Sequence, residues 1–284
     1  MPVVRVNQVR FHYEYIGSFQ EGAPTLVCLH GFTGTLHTFD FLADQLPGVN
    51  ILALDLIGHG QTSVYVPTVH YTMSQVVKDI RAFLEKLGLT ECFLFGYSMG
   101  GRVALAFATT FPQMVLGLIL ESSTAGIKEA VLRANRRKQD QKWIRLLREE
   151  GLKAFVLQWQ EIPLFASQKA LPQAVQKRVY QERMSQNRWG LANSLAHMGT
   201  GAQRNYWPQL TKMEMPLLYL AGEFDVKFCQ IGQEIVHLWE NQAQLEIISG
   251  AGHCIHLEKP QAVVENIKKF VENIKKFVEN GKSR

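Results

Sequence analysis

Apolar and polar positions along the first half of this chain switch between two periods. Residues 3–16 read as two strands, with Asn7-Gln8 as the turn between them. Residues 25–29, 50–54, 92–95 and 115–120 are short, almost continuously apolar runs, the pattern of strands buried on both faces. Between these runs, residues 36–46, 74–87 and 98–111 carry apolar side chains at helical spacing, and Gly88 stops the second of them. Strand alternating with helix predicts a mostly parallel sheet covered by helices on both faces.

The pattern changes after Ser122. Long helical stretches rich in Arg, Lys, Gln and Trp follow, and strand character returns only at residues 216–221. A helix from Phe228, a strand at 244–248 and a last helix from Pro260 complete the chain. The expected organisation is an α/β core domain made of residues 1–125 and 207–284, interrupted by a helical cap over 126–206. The last helix holds a repeat: residues 264–270 recur unchanged as 271–277. Its period of seven keeps Val264, Ile267, Val271, Ile274 and Val278 on one face, but two heptads are too few for a coiled coil. The expectation is a duplicated helix end that overhangs the domain.

Composition narrows the class. At 284 residues, 46% hydrophobic and 19% charged, the chain can bury one large core. No window approaches the roughly eighteen uninterrupted apolar residues of a membrane span, and residues 1–5 lack the basic-then-apolar layout of a signal peptide. Cys28, Cys92, Cys229 and Cys254 show no paired spacing, and the histidines show no metal-ligand pattern. A cytoplasmic protein without disulfides, metal or cofactor is expected. The net charge of +5 is unevenly placed: residues 126–205 hold 15 Lys+Arg against 6 Asp+Glu. A solvated helical face accounts for many of these. A nucleic-acid surface fits less well, because the motifs point to a small-molecule cleft.

Gly96-Tyr97-Ser98-Met99-Gly100 fits G-x-S-x-G, follows a strand and opens a helix. In that context the strand-to-helix turn lifts the serine hydroxyl on a strained backbone, with glycines leaving room for the turn. Asp225 follows the strand at 216–221, and His253 follows the strand at 244–248. Serine, acid, histidine is the chain order of the α/β-hydrolase fold, and each sits beyond the carboxyl end of a strand, where open sheets bind ligands. Glu223 is a weaker rival for the acid. A serine hydroxyl needs an imidazole to take its proton, and a carboxylate fixes that imidazole's tautomer. After the first core strand, Leu29-His30-Gly31-Phe32 places the Phe32 N–H to join that of Met99 as an oxyanion hole. His30 and the Gly58-His59-Gly60 turn read as structural.

The chain resembles the 2-succinyl-6-hydroxy-2,4-cyclohexadiene-1-carboxylate synthases, lyases of menaquinone biosynthesis. The elbow continues as Gly100-Gly101-Arg102. The cap carries Arg133-Ala134-Asn135-Arg136 with Asp140 and Trp143, Trp159 with Pro163-Leu164-Phe165, and Arg183 with Ser185-Gln186-Asn187. Asp225-Val226-Lys227-Phe228 and Gly250-Ala251-Gly252-His253 close the match, which covers nearly the whole chain. The resemblance implies elimination of pyruvate from a tricarboxylate cyclohexene, with Ser98 as base. It implies that Arg102, Arg136 and Arg183 bind the carboxylates while Tyr97 and Trp159 line the pocket. Independently, Arg102 lies four residues after Ser98, hence on the same helix face, and its planar fork suits a carboxylate. The triad by itself also fits a carboxylesterase, a carbon–carbon bond hydrolase, or a receptor that binds a small ligand without turnover.

Overall fold

The computed structural model describes residues 2–239 and 242–282, with side chains to Lys275. Eight strands form one sheet in the order β1-β2-β4-β3-β5-β6-β7-β8. They are β1 (Val3–Val6), β2 (Val9–Ile16), β3 (Thr25–Leu29), β4 (Asn50–Leu54), β5 (Cys92–Tyr97), β6 (Val115–Glu121), β7 (Leu217–Gly222) and β8 (Ala243–Ile248). The first two are antiparallel, and every pairing from β4 to β8 is parallel. Asn7 (φ 47°) and Gln8 (φ 73°) make the tight turn that joins β1 to β2.

The helices are α1 (Met73–Lys86), α2 (Met99–Thr110), α3 (Ala130–Glu149), α4 (Gly151–Trp159), α5 (Gln173–Met184), α6 (Arg188–Met198), α7 (Val226–Trp239), α8 (Ile255–Glu258) and α9 (Pro260–Lys282). Side chains of a strand alternate between the two sheet faces, and the two cores follow that alternation. Val27, Leu52, Leu94 and Leu118 pack on Ile80 and Phe83 of α1, Val103 and Phe107 of α2, and Trp239 of α7. Leu26, Cys28, Phe93, Phe95 and Ile119 pack on the opposite face with Leu36, Phe39 and Leu42, and with Val263, Ile267 and Phe270 of α9. Burial on both faces is why the inner strands read as unbroken apolar runs.

Three expected elements differ in detail. The helix expected at 36–46 is a shorter 3-10 helix, Leu36–Leu42. Asp44 (φ 57°) and Gly48 (φ 70°) turn the chain into β4, which leaves no length for further α turns. Helix α7 starts two residues earlier than expected, because the Asp225 carbonyl already accepts from the Phe228 and Cys229 N–H groups. The helix repeat does not leave the domain where it begins its second copy. Val271 is buried, Phe270 and Ile274 pack over Gly117, and Lys275 Nζ donates to the Gly48 carbonyl at 2.6 Å. The Val278 position named for the repeat's apolar face lies outside the described side chains.

Helices α3 to α6 all fall between β6 and β7 and close their own small core around Ile144, Leu147, Phe155, Val156 and Leu191. Among the described residues, no helix is long and apolar enough to cross a membrane.

Candidate active site

Sheet register assembles the site. At the carboxyl end of β5, Gly96 pairs with Leu29 of β3 on one side, and Tyr97 pairs with Glu121 of β6 on the other. Ser98 is therefore flanked by the 30–35 loop and by the 122–124 segment. Beyond it, β7 and β8 end side by side at Gly222 and Ile248, and their following loops deliver Asp225 and His253.

Ser98 sits at φ 49° and ψ −105°, a strained backbone that the turn must hold in place. A Cβ at Gly96 would strike the Gly100 carbonyl, and one at Gly100 would overlap the carbonyl of Leu29. Close approach of backbone to backbone is thus what demands glycine at both ends of the motif. Gly100→Ala is accordingly expected to cost about 1–3 kcal/mol or more through forced backbone displacement. Thermal unfolding by circular dichroism reads this directly, and an unchanged midpoint would refute the clash.

His253 and Asp225 are buried. His253 Nδ1–H donates to Asp225 Oδ2 at 2.6 Å, which leaves Nε2 to accept the Ser98 hydroxyl at 3.0 Å. Glu223 makes no contact of this kind. It accepts from Ser249 Oγ and the Gly250 N–H, both at 2.8 Å, and these bonds hold its carboxyl below the usual range. Phe228 packs against the imidazole with ring centroids 4.8 Å apart. Neither the Phe32 nor the Met99 N–H has an acceptor among the described residues. Met99 opens α2, so its N–H is also one of the free groups at the positive end of a helix.

Ser98, Met99, Phe32 and His253 line a cavity of about 140 Å³ together with Tyr97, Trp159, Arg102 and Arg136. Arg102 is buried, and its Nη1 donates to the Met198 carbonyl and to Gln203 Oε1, both at 2.6 Å. Burial and the neighbouring Arg136 charge push its pKa down to about 9, against the pull of Asp140. It stays cationic at neutral pH. Both acceptors are neutral, and among the described residues no carboxylate pairs with it. Arg136 is half-exposed and donates through Nε to Asp140 Oδ1 at 2.8 Å.

Two further cavity residues, Lys227 and Ser122, are not part of the sequence expectation, whereas Trp159 lines the cavity as expected. Lys227 lines the rim, where burial and Arg136 depress its ammonium pKa while Asp225 opposes. Two buried polar atoms, Trp159 Nε1 and Ser122 Oγ, have no partner among the described residues. Ser122 itself holds a left-handed φ of 48° beside the elbow. The Asp225-Val226-Lys227-Phe228 spacing was the available signal for Lys227: two residues past the acid, it enters the cavity from the first turn of α7.

Arg183 stands elsewhere. It lines a neighbouring cavity of about 630 Å³, with its guanidinium 4.7 Å from the centre of the Phe165 ring and Nη2 donating to Gln168 Oε1 at 3.2 Å. Phe32, Tyr97 and Phe165 form the wall common to both cavities. His30 is fully buried: Nδ1–H donates to the Gly31 carbonyl at 2.8 Å, and Nε2 accepts from the Leu56 N–H at 2.9 Å. Among the described residues no cluster of His, Cys, Asp and Glu is arranged to hold a metal ion.

Comparison with known proteins gives this geometry a family. Residues 24–260 match the model of the alpha/beta hydrolase fold. A Bacillus subtilis protein, provisionally named 2-succinyl-6-hydroxy-2,4-cyclohexadiene-1-carboxylate synthase, is 39% identical over 87% of this chain and 90% of its own. The chain belongs to this family of synthases within the α/β-hydrolase fold. The Salmonella typhimurium synthase is 33% identical over 87% of the chain and 94% of its own length. The solved structure of MenH from S. aureus superposes with a TM-score of 0.87 at 34% identity, covering 93% of this chain and 99% of that one. This chain thus matches these relatives over nearly their full lengths.

Proposed function

We propose that this chain is a carbon–oxygen lyase of menaquinone biosynthesis. It eliminates pyruvate from 2-succinyl-5-enolpyruvyl-6-hydroxy-3-cyclohexene-1-carboxylate to give 2-succinyl-6-hydroxy-2,4-cyclohexadiene-1-carboxylate. The observation that carries the substrate class is Arg102: a buried guanidinium with only neutral partners, in the same cavity as Ser98. A buried cation hydrogen-bonded only to neutral groups is costly, and an arriving carboxylate offsets that cost. Arg136 and Lys227 add positive charge to the same wall, with Asp140 opposing beside Arg102 and Asp225 opposing beside Lys227.

Chemistry follows from the substrate and product names. Ser98, deprotonated by His253, takes the proton from the ring carbon next to the succinyl ketone. The electron pair moves onto the ketone oxygen, and the Phe32 and Met99 N–H groups donate to the resulting enolate. When the enolate collapses, a ring double bond forms, the existing one shifts, and the C–O bond to the enolpyruvyl group breaks. That group departs as the enolate of pyruvate and takes up the proton held by His253. No water enters the product. Asp225 holds the imidazole tautomer and stabilises its cation.

A volume of about 140 Å³ is small beside the roughly 300–1,000 Å³ usual for small-molecule sites. The substrate therefore reaches past the wall of Tyr97 and Phe165 towards Arg183, and residues 126–206 act as a cap that admits it. All four cysteines are free, which suits a reducing cytoplasm.

The test is product analysis in ¹⁸O-labelled water, beside an assay with a p-nitrophenyl ester. Pyruvate release with no labelled oxygen in the ring product, and poor ester turnover, are expected. An esterase must form an acyl-serine and admit water, so it shows a burst with activated esters. Labelled ring product, or efficient ester turnover without pyruvate, would make the protein a hydrolase.

A further inference from the structure

The loop that presents the Phe32 N–H is not held by the sheet alone. Thr33 lies at φ 70°, a left-handed conformation for a β-branched residue, and such strain persists only where surrounding contacts over-determine it. From the sheet side, His30 Nδ1–H and the Gly34 N–H both donate to the Gly31 carbonyl, at 2.8 and 3.1 Å. Across a planar trans peptide the C=O and the next N–H point in opposite directions, so pinning Gly31 O aims the Phe32 N–H away from His30. At the far end, the Leu36 N–H donates to Asp55 Oδ1 at 2.9 Å.

The groups between these anchors are satisfied from above, by Glu182 in the last turn of α5 and by Gln186 just beyond its end. Glu182 Oε1 accepts from the Thr35 N–H at 2.9 Å and from the Thr35 hydroxyl at 2.6 Å. Gln186 Nε2 donates to the carbonyls of Thr33 at 3.3 Å and Gly34 at 3.1 Å. Its Oε1 accepts from the Gly60 N–H at 3.1 Å, tying the same side chain to the next loop of the sheet. Thr33, Thr35 and Gln186 are all buried, so water is a poor substitute for these bonds.

We infer that Glu182 and Gln186 are positioning residues for the oxyanion hole: the helical segment completes the loop that carries Phe32, so its seating sets the rate of the chemical step. This rests on reading the Phe32 N–H as an oxyanion donor. Misplacing a preorganised donor by about 1 Å costs on the order of a hundredfold in rate, whereas uniform substrate binding is untouched. Loss of the latch therefore falls on kcat. A latch that merely docked the segment onto the core would lower stability, or raise KM, and leave kcat alone.

The test compares Glu182→Ala, Glu182→Gln and Gln186→Ala with Glu161→Ala, which removes only the surface pair of Glu161 with Lys169. Two properties are measured, amide hydrogen exchange over residues 31–36 and steady-state pyruvate release. Glu182→Ala and Gln186→Ala are expected to speed exchange in that loop and to lower kcat about ten- to a hundredfold, with KM changed less than about threefold. Glu182→Gln, which keeps an acceptor oxygen, restores most of both, and Glu161→Ala changes neither. Unchanged exchange, unchanged kcat, or an effect confined to KM overturns the inference. If the parent protein releases no pyruvate, the lyase reading fails by itself. The latch is then read from loop exchange and from the rate at which a fluorophosphonate, whose P=O oxygen occupies the same hole, modifies Ser98. A rate that does not fall with faster loop exchange overturns it there too.

Discussion

Ser98→Ala is expected to lower turnover by about four to six orders of magnitude while the protein stays folded. The hydroxyl has one role in the geometry, a 3.0 Å bond to His253 Nε2. Backbone strain at φ 49° belongs to the turn rather than to the hydroxyl, and alanine inherits it unchanged. Stability should therefore move little. His253→Ala removes the same proton path from the other side. Asp225→Asn keeps the shape but exchanges a carboxylate for an amide at 2.6 Å from Nδ1, which favours the wrong imidazole tautomer. Members of one proton-transfer unit are strongly non-additive, so Ser98→Ala combined with His253→Ala should be hardly worse than either alone. Single-turnover pyruvate release, run with thermal unfolding on the same preparations, checks both statements. Near-parental turnover in folded Ser98→Ala protein would remove the serine from the reaction.

What the sequence discloses here depends on how local the cause is. The elbow is local: a buried strand, two glycines at a close backbone approach and a helix start all fall within Cys92–Thr110, so their meaning can be read from spacing. Asp225 and His253 are distant in sequence, yet each directly follows a parallel strand. A parallel sheet brings such ends together whatever the lengths of the connections. Residues on the helical segment obey no such rule. Helical periodicity tells which face of α5 is polar but not which side of Phe165 that face meets, and so Arg183 stands across an aromatic wall from Ser98. Glu182 and Thr35 are separated by 147 positions, and nothing in either neighbourhood announces the other. Lys227 was obscured differently: it sits within a motif whose meaning came from Asp225. The shortened helix at Leu36–Leu42 shows that an apolar period fixes a face, while the turn into β4 fixes the length.

The cations of the cavity should rank by how completely each is withdrawn from water. Arg102→Ala is expected to lower kcat/KM most, about ten- to a hundredfold for the loss of charged hydrogen bonds worth about 1.5–3 kcal/mol. It is buried, it pairs with no carboxylate among the described residues, and solvent screens it least. The same change strands the Met198 carbonyl and Gln203 Oε1, so some loss of stability should accompany the kinetic defect and be measured with it. Arg102→Lys should not rescue, because a point charge cannot replace a planar fork that donates in fixed directions. Arg136 is half-exposed and already shares its charge with Asp140, so Arg136→Ala should cost less. Lys227→Ala should cost least, and its defect should shrink as salt is raised, since a rim cation acts mainly by long-range attraction. Arg183→Ala separates two pictures of the bound substrate. With a carboxylate reaching past Tyr97 and Phe165, KM is expected to rise; an unchanged KM would keep the substrate on the Ser98 side of that wall. Measured kcat/KM for pyruvate release at low and high salt orders the series. Equal kinetics for all four alanine variants would leave these cations no part in substrate binding and would take the tricarboxylate substrate with them.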